Sequence, residues 1–88
     1  MPAIWIPPLL KHLTNGMHTV EIEGQNIREL IESLDLTYPG IKSRLCDNND
    51  KIRAEIAVAV DGQIVTTGMR TRVAPDSEVH FLPALSGG

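Results

Sequence analysis

Two places in this sequence hold residues whose type and setting could do chemistry. The first is the ending, Pro83-Ala84-Leu85-Ser86-Gly87-Gly88. Six extended residues reach about 20 Å at roughly 3.3–3.6 Å each. Two glycines carry no side chain, so the last segment is expected to be thin and flexible, with the Gly88 carboxylate at its tip. A carboxylate repels nucleophiles, but ATP can convert it to an acyl-adenylate. A sulfur donor can then displace AMP and leave a thiocarboxylate, which is anionic at neutral pH and nucleophilic at sulfur, much as a thiolate is beside a thiol. That scheme asks the chain for no acid, base or metal. It asks only for a handle. Taken alone, Gly87 and Gly88 are equally well read as a frayed chain end.

The second place is Cys46, beside the polar run Asp47-Asn48-Asn49-Asp50. A reactive thiol needs a neighbour that lowers its pKa, and none is evident, so Cys46 reads as incidental. His12, His18 and His80 have no ligand-like spacing, and a metal site needs several converging donors. There is no Ser/His/Asp order and no glycine-rich phosphate loop. Arg70 and Arg72 are the nearest thing to a basic pair, and they read as a solvated loop.

The elements that must carry the tail are legible. Ala3-Ile4-Trp5-Ile6 is β-prone and stopped by Pro7-Pro8. Leu9 to Leu13 is an apolar bridge, Thr14-Asn15-Gly16 a turn, and Met17 to Glu23 a second strand with Val20 and Ile22 on one side. Asn26 is placed to cap a helix, with Glu29 at capping-box spacing. Ile27, Leu30, Ile31 and Leu34 then share one helical face, and Tyr38-Pro39-Gly40 ends the helix. Ile41 to Cys46 has room for another short helical turn. Ile52 to Val60 is β-prone, with Ile56, Val58 and Val60 alternating against Ala57 and Ala59. Asp61-Gly62 is a hairpin turn leading to a short strand at Gln63-Ile64-Val65. Thr66 to Asp76 is irregular. The last strand runs from Glu78 to Leu82, and Pro83 is expected to end it.

One strong helix among five strands gives an α+β layer architecture, a mixed sheet with the helix packed across one face. The 88 residues allow one core and no separate lobe. The expected division is a domain at 1–82 and a tail at 83–88. Trp5, Tyr38 and Phe81 are the only aromatic residues, so the core must be mostly aliphatic. A net charge of −3 with scattered basic residues argues against nucleic-acid binding. A lone cysteine, the lack of a long apolar run and the lack of a signal-like start give the expectation of a soluble cytoplasmic protein with no membrane partner.

The ending from Val79 to Gly88 resembles the close of the MoaD/ThiS family of ubiquitin-like sulfur carriers: an apolar strand, a proline, a small or aliphatic pair and Gly-Gly. The resemblance extends to Ile6-Pro7-Pro8-Leu9-Leu10, to Tyr38-Pro39-Gly40-Ile41 with Arg44-Leu45, and to Val58-Ala59-Val60-Asp61-Gly62. Length and the Leu9–Gly16 insertion look like the molybdopterin-synthase small subunit and the cysteine-forming carrier rather than the shorter thiamine carrier. Tyr38-Pro39-Gly40-Ile41 and the Asp47–Arg53 loop are most similar to the cysteine type. Ser86 stands where alanine is more usual, and Ala57 and Ala59 make the middle strand less bulky than the family leads one to expect.

The resemblance implies a β-grasp fold with the first and last strands side by side. It implies a non-catalytic protein co-substrate, or the small subunit of a synthase, whose Gly88 is the attachment point. An E1-like adenylating enzyme would use ATP and Mg²⁺ to activate Gly88. A sulfurtransferase or sulfide would load it, and a downstream synthase would take the sulfur for cysteine, molybdopterin or thiamine. Both kinds of enzyme would grip Pro83, Ala84, Leu85, Ser86 and Gly87, with Leu82 as docking surface and Trp5 either joining it or packing under a loop. Phe81 is expected in the core. A ubiquitin-like modifier joined through Gly88 to lysine shares the tail and the activation step. A β-grasp interaction module with no chemistry at Gly88 is the third reading.

Overall fold

The computed structural model describes residues 1–84. Leu85, Ser86, Gly87 and Gly88, and with them most of the expected tail, lie outside the described residues.

Strand β1, Ala3–Trp5, stops short of Pro7 and Pro8, and the chain turns into a 3₁₀ helix, Pro8–Thr14. The apolar bridge expected here is thus helical, with Leu10 buried and Leu9 on the outside. Thr14 is wholly buried, and its Oγ1 lies 2.9 Å from the carbonyl oxygen of Met17 and 3.2 Å from that of Lys11. Asn15 and Gly16 then take φ of 55° and 81°, a left-handed reversal suited to these two residue types. Strand β2, Thr19–Glu21, returns antiparallel to β1, with Ala3 opposite Glu21 and Trp5 opposite Thr19. It is shorter than the Met17–Glu23 run expected from alternation.

Gly24 leads into helix α1, Ile27–Thr37. A Cβ on Gly24 would lie 2.8 Å from the Leu30 nitrogen and 2.9 Å from its Cδ2, so only glycine lets this connection lie against the helix. Asn26 caps α1, its Oδ1 accepting the Glu29 N–H at 2.8 Å. The Glu29 carboxylate reaches back to the N–H of Gln25 rather than that of Asn26, a capping box displaced by one residue. Ile27, Leu30, Ile31 and Leu34 are all fully buried.

After Tyr38-Pro39, Gly40 takes φ of 101° and a short helix α2, Ile41–Leu45, follows. Asp35, off the apolar stripe of α1, accepts the N–H groups of Gly40 and Lys42 through one oxygen, so it caps α2 from the preceding helix. Strand β3, Ile56–Val60, turns at Asp61-Gly62 (φ of 51° and 86°) into β4, Gln63–Ile64. A 3₁₀ turn at Gly68–Arg70 buries Met69 on the way to β5, Glu78–Pro83.

The sheet order is β2-β1-β5-β3-β4, with β1 and β5 parallel and the other pairs antiparallel. The α+β architecture is therefore a mixed five-stranded sheet with its helix across one face, and the first and last strands are neighbours. The core lies between α1, α2 and one sheet face, where Ile4, Val20, Val58, Val79 and Phe81 meet the α1 stripe. At roughly 1.5–3 kcal/mol for each large aliphatic side chain buried, this single layer is the main source of stability.

Candidate functional site

The first two residues of the expected tail are held more firmly than a simple stop at Pro83 suggests. Pro83 sits in the β5 ladder opposite Ile56, and the Ala84 N–H donates to the Glu55 carbonyl at 2.8 Å. The expected end of the strand at Leu82 is displaced because the proline meets no penalty there. Alternation from Ala84 puts the N–H positions of Leu82 and His80 toward β3 and that of Pro83 toward β1. The β1 ladder has already finished, its last rung being Trp5 opposite His80. A missing N–H on that side leaves no carbonyl unpaired.

The other end of β5 is fixed by Asp61. Its carboxylate accepts the Glu78 N–H and the Ser77 hydroxyl, both at 2.9 Å, while its own N–H donates to the Glu78 carbonyl. The Glu78 N–H, and after it the Ser77 hydroxyl, hold the Asp61 carboxyl below the usual carboxylate range. Sequence reading found Asp61 only as a turn residue. Its second role joins positions sixteen and seventeen residues apart, so nothing local announces it.

Strand alternation sorts β5 into two faces. Val79 and Phe81 enter the core, Phe81 at 3% exposure, while His80 and Leu82 face away from the helices. Leu82 keeps 39% of its surface open. Trp5 is half-buried and stacks on His80, ring centroids 4.5 Å apart at 21°. It therefore lies on the same outer face as Leu82. Register places Ala59 opposite His80, Ala57 opposite Leu82, and Ile64 opposite Ala59. The small residues of β3 thus form a low apolar floor between the Trp5–His80 stack and the exposed Ile64. That accounts for the slim middle strand, whose outward positions carry no bulk.

Ala84 is half-buried and Pro83 exposed at the margin of this face. Leu85, Ser86, Gly87 and Gly88 fall outside the described residues.

Cys46 is 4% exposed and part of the core, and burial pushes its thiol above the ordinary range, followed by the effect of Asp50. That environment suppresses the thiolate a nucleophile needs. An exposed ionic cluster joins Arg28 and Lys42 to Asp50, with Lys42 also paired to Glu32. Hydrogen bonds from Arg28 and then Lys42 hold the Asp50 carboxyl below its usual range. The cluster ties the 47–53 loop to α1 and lies on the helix side of the sheet. Among the described residues no three metal-ligating side chains converge, and no helix is long and apolar enough to cross a membrane.

Residues 6–88 match the ThiS family model. The chain is 31% identical to the sulfur carrier protein CysO of Mycobacterium tuberculosis, over 98% of this chain and 97% of that protein. It is similar to a chain of the Amycolatopsis orientalis BexX/CysO complex, at 30% identity and TM-score 0.90 over the full length of both. In fold alone it is like the small archaeal modifier protein 1 of Methanosarcina acetivorans, at 20% identity and TM-score 0.80, covering 99% of this chain and 95% of that one.

Proposed function

Since this chain belongs to the ThiS family, we propose that it is a sulfur carrier whose working group is the carboxyl of Gly88. In this reading the chain is a protein co-substrate and other proteins perform the catalysis. An E1-like enzyme with ATP and Mg²⁺ couples the Gly88 carboxylate to AMP and releases pyrophosphate. Sulfide, free or delivered by a sulfurtransferase, attacks the acyl carbon and expels AMP. The resulting thiocarboxylate is the nucleophile that a synthase consumes, with cysteine formation the reading favoured by the CysO likeness over molybdopterin or thiamine synthesis.

The observation that carries this reading is the family match, which runs through the terminal Gly-Gly, taken with 31% identity to a sulfur carrier along nearly the whole chain. The outer sheet face supports it physically. Leu82, the Trp5–His80 stack and the Ala57/Ala59 floor make an apolar seat on the strand that leads directly into the tail. A partner seated there receives Pro83 to Gly88 from a fixed starting point. Engagement of a second protein is also consistent with the likeness to the BexX/CysO complex.

The test is to mix the protein with an adenylating enzyme, ATP, Mg²⁺ and sulfide, and weigh it intact. The carrier reading expects a gain of about 16 Da, sulfur replacing oxygen on the activated acyl group. Gly-Gly remnants on substrate lysines without that gain would make the protein a modifier. If deleting Gly87-Gly88 leaves partner function untouched, the chain is an interaction module and the proposal fails.

A further inference from the structure

Away from the outer sheet face, β2 forms an open edge beside a groove. Ile6 N–H donates to the His18 carbonyl and Ile22 N–H to the Pro2 carbonyl, and Ile4 stands opposite Val20. The hydrogen-bonded pairs of the β1–β2 ladder are therefore those of residues 18, 20 and 22. The backbone N–H and C=O groups of Thr19 and Glu21 point the other way. They have no hydrogen-bond partner among the described residues, since β2 is an outer strand of the sheet.

Such an edge is normally blunted by shortness, charge, proline, a bulge or a covering element, and β2 is three residues long and carries the exposed Glu21. This one has neither proline nor bulge. Beside it runs a groove of about 560 Å³ between β2 and the second half of α1. Its helix wall is low because Ser33 and Thr37, four residues apart, are both short. Tyr38 and Met17, the latter 50% exposed, also line the groove. The opposite edge, β4, is two residues long, and the cleft beside it is smaller, about 360 Å³.

We propose that the β2 edge and its groove accept an extended, lysine- or arginine-bearing segment of a partner protein as a sixth strand. The occupant's chemistry follows from the edge. Glu21 and Glu23 are exposed and line the groove. A strand paired with β2 sets alternate side chains over Glu21 and the others into the groove. Basic residues suit the first set and aliphatic ones the second, because opposite charges directly across a sheet stabilise while like charges repel. A second copy of this chain is a poorer occupant, since it brings its own Glu21 and Glu23 to the same seam. The main-chain bonds supply affinity and the alternating positions supply selectivity.

The probe is a capped Lys-Val-Lys-Val-Lys peptide titrated into the ¹⁵N-labelled full chain. Amide shifts should concentrate at Thr19 and Glu21, with slowed hydrogen exchange at both. A Glu-Val-Glu-Val-Glu peptide should bind at least about tenfold more weakly, and Glu21→Lys should reverse that preference, with the amide spectrum confirming the fold. A strand bonds its neighbour through alternate residues only. Methylating the peptide's backbone nitrogens in one phase should therefore abolish binding, and in the other phase leave it. Equal loss in both phases, shifts centred elsewhere, no binding at millimolar peptide, or a free protein already dimeric through β2 would each overturn the proposal.

Discussion

Leu82 and Phe81 are neighbours in sequence on opposite faces of β5, and substituting each should separate docking from folding. Fully burying a leucine is worth about 1.5–3 kcal/mol. With 39% of Leu82 still open, about 0.6–1.2 kcal/mol is left for a partner to gain. Leu82→Ala should therefore lower kcat/KM for adenylation up to about 3–8-fold. Leu82→Asp also seats an unpaired carboxylate against an apolar surface, adding about 1–3 kcal/mol or more, for a total loss of roughly 10–1000-fold. Phe81 is 3% exposed, so Phe81→Ala should destabilise the fold by about 3–5 kcal/mol. That is a large share of the roughly 4–13 kcal/mol expected for a chain this size. The assays are ATP–pyrophosphate exchange with the activating enzyme and thermal melts of the free protein. If Leu82→Asp is activated with wild-type kcat/KM, the outer face is not the seat and this reasoning is wrong.

Three further outcomes are expected. Gly24→Ala forces a Cβ within 3 Å of the Leu30 backbone nitrogen, so differential scanning calorimetry should show a loss of about 1–3 kcal/mol, or about 4–8 °C per kcal/mol. Asp61→Asn keeps a residue suited to φ of 51° but removes the charge that accepts from Glu78 N–H and Ser77. Because the Asp61 carboxyl is held below its ordinary value, its contribution is complete above about pH 5 and is lost as pH falls through the lowered value. Wild-type melting temperature should thus exceed the variant's at neutral pH and converge with it in acid. One residue appended after Gly88 should abolish loading with no change in the melt, and thiolation of such a variant without trimming would contradict the proposed chemistry.

Local signals carried most of the fold. The stripe Ile27-Leu30-Ile31-Leu34, the cap at Asn26 and the turns at Asn15-Gly16 and Asp61-Gly62 each declare themselves within a few residues. Phe81, expected in the core, and Leu82, expected at the surface, do lie on opposite faces of β5. Long-range pairings were silent. That β1 and β5 adjoin followed from family likeness, because periodicity says nothing about which strands are neighbours. Asp35 capping α2 and Asp61 clamping Ser77 and Glu78 depend on where the chain returns, so each looked like an ordinary surface or turn residue. Ala57 and Ala59 made sense only once Trp5, stacked on His80, was seen above the same floor. Pro83 was read as a terminator because a proline breaks a ladder only when its missing N–H is needed, and sequence cannot show which side has a neighbour.

The most direct test of the central claim is to locate the added sulfur. After loading with ATP and sulfide, tandem mass spectrometry of the C-terminal peptide should place the entire gain of about 16 Da on Gly88. A gain of about 16 Da on a carboxylate other than that of Gly88, or no gain with any activating enzyme, would contradict it.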